Sequence, residues 1–459
     1  MGLDDPIKML ENLQMDEEKF VDLLGKIIGE AQHLQNNPPT LIPKEDRAVR
    51  HVLDVLQPLS EGNGGLLKLN HKSYVEGRGN LIIEYPGTVE KKVVSFVGSH
   101  FDVVPANKET WDFDPFTLTR DGDKLRGRGT TDCLGHVALI TELFRQLAEK
   151  KPKLKSSVVA VFIANEENST TLGVGMDALV KDGLLDNLKN GPLFWIDVAD
   201  MQPCIGTGGM LVWKLKAEGK LFHSGLPHKA VNPLELVMEA LKWIQDKFYA
   251  DFPPTEKEKE YGFATPSTMK PTQWSYPGGG VNQIPAEAEI RGDCRITPFY
   301  RHVQAPALVF RLHRVFMLFA LISEVEKKIR GYVQHINDHI EELDTRGPVS
   351  KYVLPDEQLR GKLKIEFDEI KTSGVACDLK STGYKALCDA TAKVLGEVKP
   401  YSITGGLPLI YELQQEGFDV QCAGYGRMET YHANNEHAYL SEFKKGFQVL
   451  AHCVALLEN

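Results

Sequence analysis

The sequence lacks a hydrophobic run able to cross a bilayer. Its most apolar stretch, Ala305 to Ile322, is interrupted by Arg311, His313 and Arg314, so it is too short and too charged to span. An apolar leader is also missing. Met1 to Phe20 is acidic and reads neither as a secretory signal nor as an Arg-rich transit peptide. Gly2 does not complete a myristoylation signal, because position 6 is Pro6. There is no basic excess: 53 Lys and Arg face 63 Asp and Glu, a formal net charge of -10. A nucleic-acid groove needs a basic stripe, so nucleic acid is excluded as a partner, as is a membrane. Cysteine is scarce, with seven scattered residues and no CxxC pair. That excludes a disulfide framework and predicts reduced thiols in an intracellular compartment, the cytoplasm first and a plastid second.

What is present is an ordinary globular composition, 42% hydrophobic and 25% charged. At 459 residues, the chain has room for two or three domains. Its most informative feature is where polar residues follow apolar runs. Val158 to Ala164 reads as a buried parallel strand and leads into Asn165-Glu166-Glu167-Asn168. Val93 to Ser99 delivers His100-Phe101-Asp102, the turn Gly127 to Thr131 delivers Asp132, and Leu193 to Ile196 delivers Asp197. Open α/β sheets bind ligands at the carboxyl ends of their strands. An imidazole and several carboxylates gathered on that rim have the chemistry of a metal site.

The periodicity predicts helices over 16–34, 44–57 and 134–150, another near 176–185, and strands within 80–104 around the turn Pro86-Gly87. Strands alternating with helices predict an α/β domain with a mixed, mostly parallel sheet covered on both faces. After Gly206-Thr207-Gly208-Gly209 the texture changes. Strand patterns at 210–217, 268–276, 286–295 and 362–367 and helical patterns at 233–248 and 323–343 follow the order βαββαβ, a ferredoxin-like unit. The expected division is a first catalytic part at 1–207, an inserted α+β lid or dimerisation domain at 208–372, and a second catalytic part at 373–459. The Gly206–Gly209 run is not a dinucleotide fingerprint. It lacks the third-glycine spacing, and a strand pattern follows it rather than a helix.

Each candidate has a plainer reading beside it. His100-x-Asp102 is common by chance; its functional reading is a metal-ligating imidazole held by a carboxylate. Asp132 either caps the helix near Leu134 or faces the site. Glu166 and Glu167 are either solvated loop acids or a base and a ligand pointing different ways. Asp197 competes with Asp200, and the apolar strand directly before Asp197 favours it. His432 competes with His437. His223, in Phe222-His223-Ser224-Gly225, reads alone as a loop histidine. Cys133 reads first as a small buried filler and second as a reactive thiol.

Six segments in order resemble the M20 family of metal-dependent amidohydrolases and peptidases. They are Ser99 to Pro105, Gly127 to Asp132, Asn165-Glu166-Glu167, Gly219 to Ser224, Gly280 to Pro285 and His432 to Glu436. The resemblance is nearest to the family's eukaryotic, plant-type deacetylases. It implies two divalent ions, zinc first and cobalt second, with Asp132 bridging both. His100 and Asp197 would complete one coordination sphere, and Glu167 and His432 the other. Glu166 would be the general base and Asp102 would orient His100. His223 would reach the partner subunit's site, which implies a homodimer through the inserted domain. Asn282, Arg295, Gly405 and Gly406 are candidates for gripping the substrate carboxylate. Many members carry glutamate, proline and threonine where this chain has Asp197-Val198-Ala199. The expected reaction is hydrolysis of an N-acyl amino acid, with N²-acetylornithine as substrate and acetate and ornithine as products. The alternatives are aminoacylase, dipeptidase or desuccinylase activity, or a non-catalytic binding protein on the same fold.

Overall fold

Four apolar segments lie side by side as parallel strands at the centre of the first of two compact units. The computed structural model describes residues 5–168, 171–300, 320–407 and 409–458. The first unit contains the described residues up to Ile205, Cys377–Tyr401 and the chain from residue 409 onward. In its sheet, Val93–His100 pairs in parallel with Ser157–Ile163 on one side and Pro192–Ile196 on the other. Asp419–Ala423 extends the parallel set beyond Pro192–Ile196. Arg78–Tyr85 joins Ser157–Ile163 antiparallel, and Lys68–Val75 pairs antiparallel with Arg78–Tyr85 at the margin. Every residue of Val93–His100 and Pro192–Ile196 is buried, because helices cover both faces of a parallel sheet.

The helix Leu134–Lys150 is buried from Leu134 through Ala148. It packs with Glu17–Gly29, Asp46–Leu56 and Leu440–Leu457 into one apolar core. The α/β architecture agrees with the sequence reading, and Leu134–Lys150 has the predicted limits. Differences fall at margins. The 16–34 pattern resolves into Glu17–Gly29, capped by the Asp16 side chain, followed by a 3-10 turn at Ala31–His33. The helix near 176 ends early, at Lys181. Lys68–Val75 is a strand that the periodicity did not indicate. Its residues alternate between exposed and half-buried, so no apolar face marks it.

The second unit comprises Gly206–Ala376 and Ser402–Leu407, apart from the undescribed residues within it. Its four-stranded sheet runs in the order Thr268–Ser275, Glu287–Ile296, Gly209–Glu218, Lys362–Thr372. All neighbours are antiparallel. The helices Pro233–Asp251 and Ala320–Asp338 bury Leu236, Ala240, Ile244, Val325, Ile329 and Val333 in a core with the sheet. The strand Gly209–Glu218 alternates strictly, with every second residue buried, the pattern of a sheet covered on one face. The apolar sequence His302 to Ile322 lies outside the described residues except at its end, where residues 320–322 open the Ala320–Asp338 helix.

Candidate metal centre

Three strand ends, one helix start and one loop of the first unit supply the polar cluster. His100 ends the strand Val93–His100. There the pairing with Ser157–Ile163 shifts register between Val97 and His100, and such an irregularity re-aims a side chain. Gly98 sits in the irregularity at φ +94, and a Cβ on it would lie 2.4 Å from the Trp195 ring; only glycine fits. Asp132 precedes the helix Leu134–Lys150. Glu166 and Glu167 follow Ser157–Ile163, and Asp197 directly follows Pro192–Ile196. His432 comes from the loop after the Met428–Thr430 turn.

The carboxylate of Asp132 stands between two imidazoles. Its Oδ1 is 3.1 Å from His100 Nε2 and its Oδ2 is 3.0 Å from His432 Nε2. On the His100 side, Nε2 is also 3.4 Å from Asp197 Oδ1 and 3.8 Å from Glu166 Oε2. On the other side, His432 Nε2 is 3.2 Å from Glu167 Oε2. The structure therefore brings together His100, Asp132, Glu166, Glu167, Asp197 and His432. Their arrangement falls into two donor sets that share Asp132.

Asp102 sits beneath this cluster, fully buried. Its Oδ1 accepts the backbone N–H of Glu166 and its Oδ2 that of Glu167, both at 3.0 Å. His100 Nδ1 lies 2.8 Å from the Asp102 carbonyl oxygen and 3.5 Å from its Oδ1. The closer partner of the imidazole is thus the backbone of Asp102, and the carboxylate chiefly anchors the two glutamates.

The electrostatics are those of a site built for cations. Burial and the neighbouring Asp197 push the Glu166 carboxyl well above its ordinary value. Burial, with Asp132 adding repulsion, raises Glu167 to about 7. Burial likewise raises Asp197 to about 6. Asp132 is held low against burial by its hydrogen bonds with His100 and His432. The Asp132 and Glu167 carboxylates raise His432 to about 11. Crowded buried carboxylates are unfavourable unless a positive charge joins them.

A test of fit comes from two buried oxygens. Glu167 Oε1 has no hydrogen-bond partner among the described residues, and Asp197 Oδ1 makes no well-formed hydrogen bond, its 3.4 Å approach to His100 Nε2 aside. One such oxygen lies in each donor set. Donor atoms of His100, Asp132 and Glu167 all fall within 4.8 Å of one another, as do those of His100, Cys133 and Asp197. Imidazole nitrogens and carboxylate oxygens suit zinc and similar divalent ions. The residues fit a metal centre. Cys133 lies below it, fully buried, its sulfur accepting the backbone N–H of His100 at 3.1 Å. Burial pushes its thiol well above the ordinary range, which removes the basis for a reactive thiolate.

The rivals take structural places. Asp200 is exposed at φ +64 and its Oδ1 accepts the backbone N–H of Met428 at 3.1 Å. His437 pairs with Arg126 in a small antiparallel ladder. The remaining candidates belong to the second unit. His223 is exposed, and its Nδ1 accepts the backbone N–H of Gly225 at 3.0 Å. The carbonyl of Asn282 accepts the N–H of Ser224 at 2.9 Å. Arg295 donates through Nε to Asp293 at 2.9 Å. The Gly405 carbonyl accepts the N–H of Gly208 at 3.0 Å, and a Cβ on Gly406 would meet Thr372 at 2.9 Å.

Sequence reasoning passed over Glu436 as a functional residue, although it closes the motif that begins at His432. Its buried carboxylate accepts the backbone N–H groups of Gly129, Thr131 and Asp132 at 2.9, 2.7 and 3.0 Å. It also pairs with Arg128 Nη1 at 2.7 Å. It fixes the turn that presents Asp132. Arg78 and Glu45 were also missed, because isolated polar residues carry no periodic signal.

The chain is 60% identical over 446 residues to acetylornithine deacetylase of Arabidopsis thaliana, covering 97% of each protein. It is 50% identical to acetylornithine deacetylase of Dictyostelium discoideum, covering 98% of this chain and 99% of the relative. Among solved structures, human carnosine dipeptidase 1 superposes with a TM-score of 0.65 at 15% identity, over 99% of this chain and 98% of the other. That likeness is one of fold. A model of peptidase family M20/M25/M40 matches residues 96–456, and the chain belongs to that family.

Proposed function

We propose that this chain is a metal-dependent amidohydrolase that removes the acetyl group from N²-acetylornithine, releasing acetate and ornithine. The observation that carries the chemistry is Asp132 between His100 Nε2 and His432 Nε2, at 3.1 and 3.0 Å. The substrate follows from two deacetylase relatives that match the chain over nearly its whole length. Asp132, His100 and Asp197 would hold one divalent ion, and Asp132, Glu167 and His432 a second; zinc is the first choice and cobalt the second. Bound there, such ions polarise the amide carbonyl and make water a better nucleophile near neutral pH.

The chain's own groups do the rest. Glu166 is the carboxylate that neither donor set requires. Its Oε2 lies 3.8 Å from His100 Nε2, on the rim where the scissile bond would sit. It takes the proton from attacking water and passes it to the departing amine. A carboxyl raised by burial is suited to holding that proton between the two events. His223 donates to the tetrahedral oxyanion from a partner subunit. Arg295, with Asn282 and the Gly405-Gly406 backbone, binds the substrate α-carboxylate, since a guanidinium pairs with carboxylate through two parallel hydrogen bonds.

The second unit is the proposed lid or dimerisation domain, through which two copies would assemble as a homodimer. Its margin strand Thr268–Ser275 is paired on one side only among the described residues, and exposes Trp274. Tyr276, just beyond it, is also exposed. Large aromatics on an open strand edge mark an interaction surface. No helix among the described residues is long and apolar enough to cross a membrane. The direct test is chelation: metal-free protein should release no acetate from N²-acetylornithine, and zinc or cobalt should restore release as two ions bind. Full activity in protein verified as metal-free would overturn the proposal.

A further inference from the structure

Behind Glu166 and Glu167 runs a buried polar chain that the hydrolytic chemistry does not use. Glu45, just before the helix Asp46–Leu56, and Arg78, the first residue of the strand Arg78–Tyr85, are both buried. They meet through two parallel bonds, Arg78 Nε to Glu45 Oε2 at 2.6 Å and Arg78 Nη2 to Glu45 Oε1 at 2.7 Å. Neither belongs to the cluster around Asp132. Both precede residue 96, where the family match begins. Burying such a pair costs desolvation that its attraction rarely exceeds, so a pair kept in the core gains little stability for the fold.

Both members also grip Asn165. Arg78 Nη2 donates to Asn165 Oδ1 at 3.0 Å, and Asn165 N–H donates to Glu45 Oε1 at 3.2 Å. Asn165 stands at φ +62, a conformation that costs a non-glycine residue free energy unless its surroundings hold it. Its side chain supplies the rest of the hold. Nδ2 donates to the carbonyls of Asn168 and Thr171, at 3.0 and 2.7 Å. Asn36 Nδ2 bridges Asn165 Oδ1 and Asp102 Oδ2, at 3.1 and 2.8 Å. Asp102 in turn receives the N–H groups of Glu166 and Glu167. Asn165 is the residue at which the chain leaves the strand and turns toward the site.

We infer that Glu45 and Arg78 are positioning residues for the reaction: they lock Asn165 in its left-handed turn and so fix the direction in which Glu166 meets the substrate. This rests on the assignment of Glu166 as the general base. The pair's side-chain contacts run to each other and to Asn165 and to none of the proposed metal donors, so its loss acts on turnover rather than on binding. A misplacement of about 1 Å at a reacting group costs on the order of a hundredfold in rate.

The test removes both charges together, as Glu45→Gln with Arg78→Met, so that neither is left unpaired in the core. Thermal unfolding, bound metal, kcat and KM for N²-acetylornithine are measured beside Glu166→Gln. The expected result is a folded protein with two metal ions, KM within about twofold of wild type, and kcat lowered roughly tenfold to a hundredfold. Wild-type kcat in the folded double variant, or loss of metal in place of loss of kcat, overturns the inference. If the double variant does not fold, Asn165→Gly decides. It keeps the ion pair and permits the positive φ, but removes the side-chain hold, and the same kcat and KM criteria apply. Near-normal turnover in Glu166→Gln would instead sink the base assignment itself, whatever the double variant does.

Discussion

Glu436 accepts the backbone N–H of Asp132 at 3.0 Å across 304 residues of chain. The same carboxylate closes on Gly129, Thr131 and Arg128. Glu436→Ala would leave three buried N–H groups and a buried guanidinium without their partner. Removing one member of a buried charged pair costs about 3–5 kcal/mol. The expected outcome is a lower denaturation midpoint together with weaker metal retention, because the Asp132 turn loses its anchor. Unchanged stability and metal content would show that other contacts hold the turn.

Glu166→Gln separates proton transfer from metal binding. The variant is expected to keep its fold and metal and to lose roughly 10²–10⁴ in kcat. Asp132→Ala should behave in the opposite way and lose metal first, since both donor sets share that carboxylate. Metal analysis of the two purified variants beside their turnover checks the pair. A Glu166→Gln enzyme that turns over normally would leave the site without an assigned base.

His223 belongs to the second unit and is exposed, and its proposed role is to act across a homodimer. Mixing inactive His223→Ala and Glu166→Gln protomers should recover activity, because each mixed dimer then holds one site with both groups native. Activity is read after subunit exchange has been verified. No recovery would place His223 in its own subunit's chemistry or outside the reaction.

The parts of the site legible in the sequence are those announced by apolar strands. Val93 to Ser99, Val158 to Ala164 and Leu193 to Ile196 point to His100, Glu166 with Glu167, and Asp197 because a buried parallel strand is apolar throughout and its end is abrupt. Helix Leu134–Lys150 was legible from its helical period. The supporting network was not. Glu436 binds backbone N–H groups, which every sequence offers equally, so nothing local marks its partners. Glu45 and Arg78 look like surface charges until Asn165 closes over them. The Lys68–Val75 strand is hidden because its register with Arg78–Tyr85 sets its place, not its own half-exposed pattern. Asp102 was read as a partner of the imidazole because it lies two residues from His100. Its carboxylate's closer bonds run to the Glu166 and Glu167 backbone, which only the folded chain brings near.

Substrate choice is read from kcat/KM across a panel of N-acyl amino acids. Metal-loaded protein would be offered N²-acetylornithine, N-acetylmethionine, an N-succinyl diamino acid and a dipeptide, with release of the acid or amine followed for each. The two donor sets act on the scissile amide alone, so selectivity must arise from groups that meet the rest of the substrate. N²-acetylornithine is expected to have the highest kcat/KM, with neutral N-acetyl amino acids slower. A dipeptide or a longer acyl group cleaved with much higher kcat/KM would contradict this expectation.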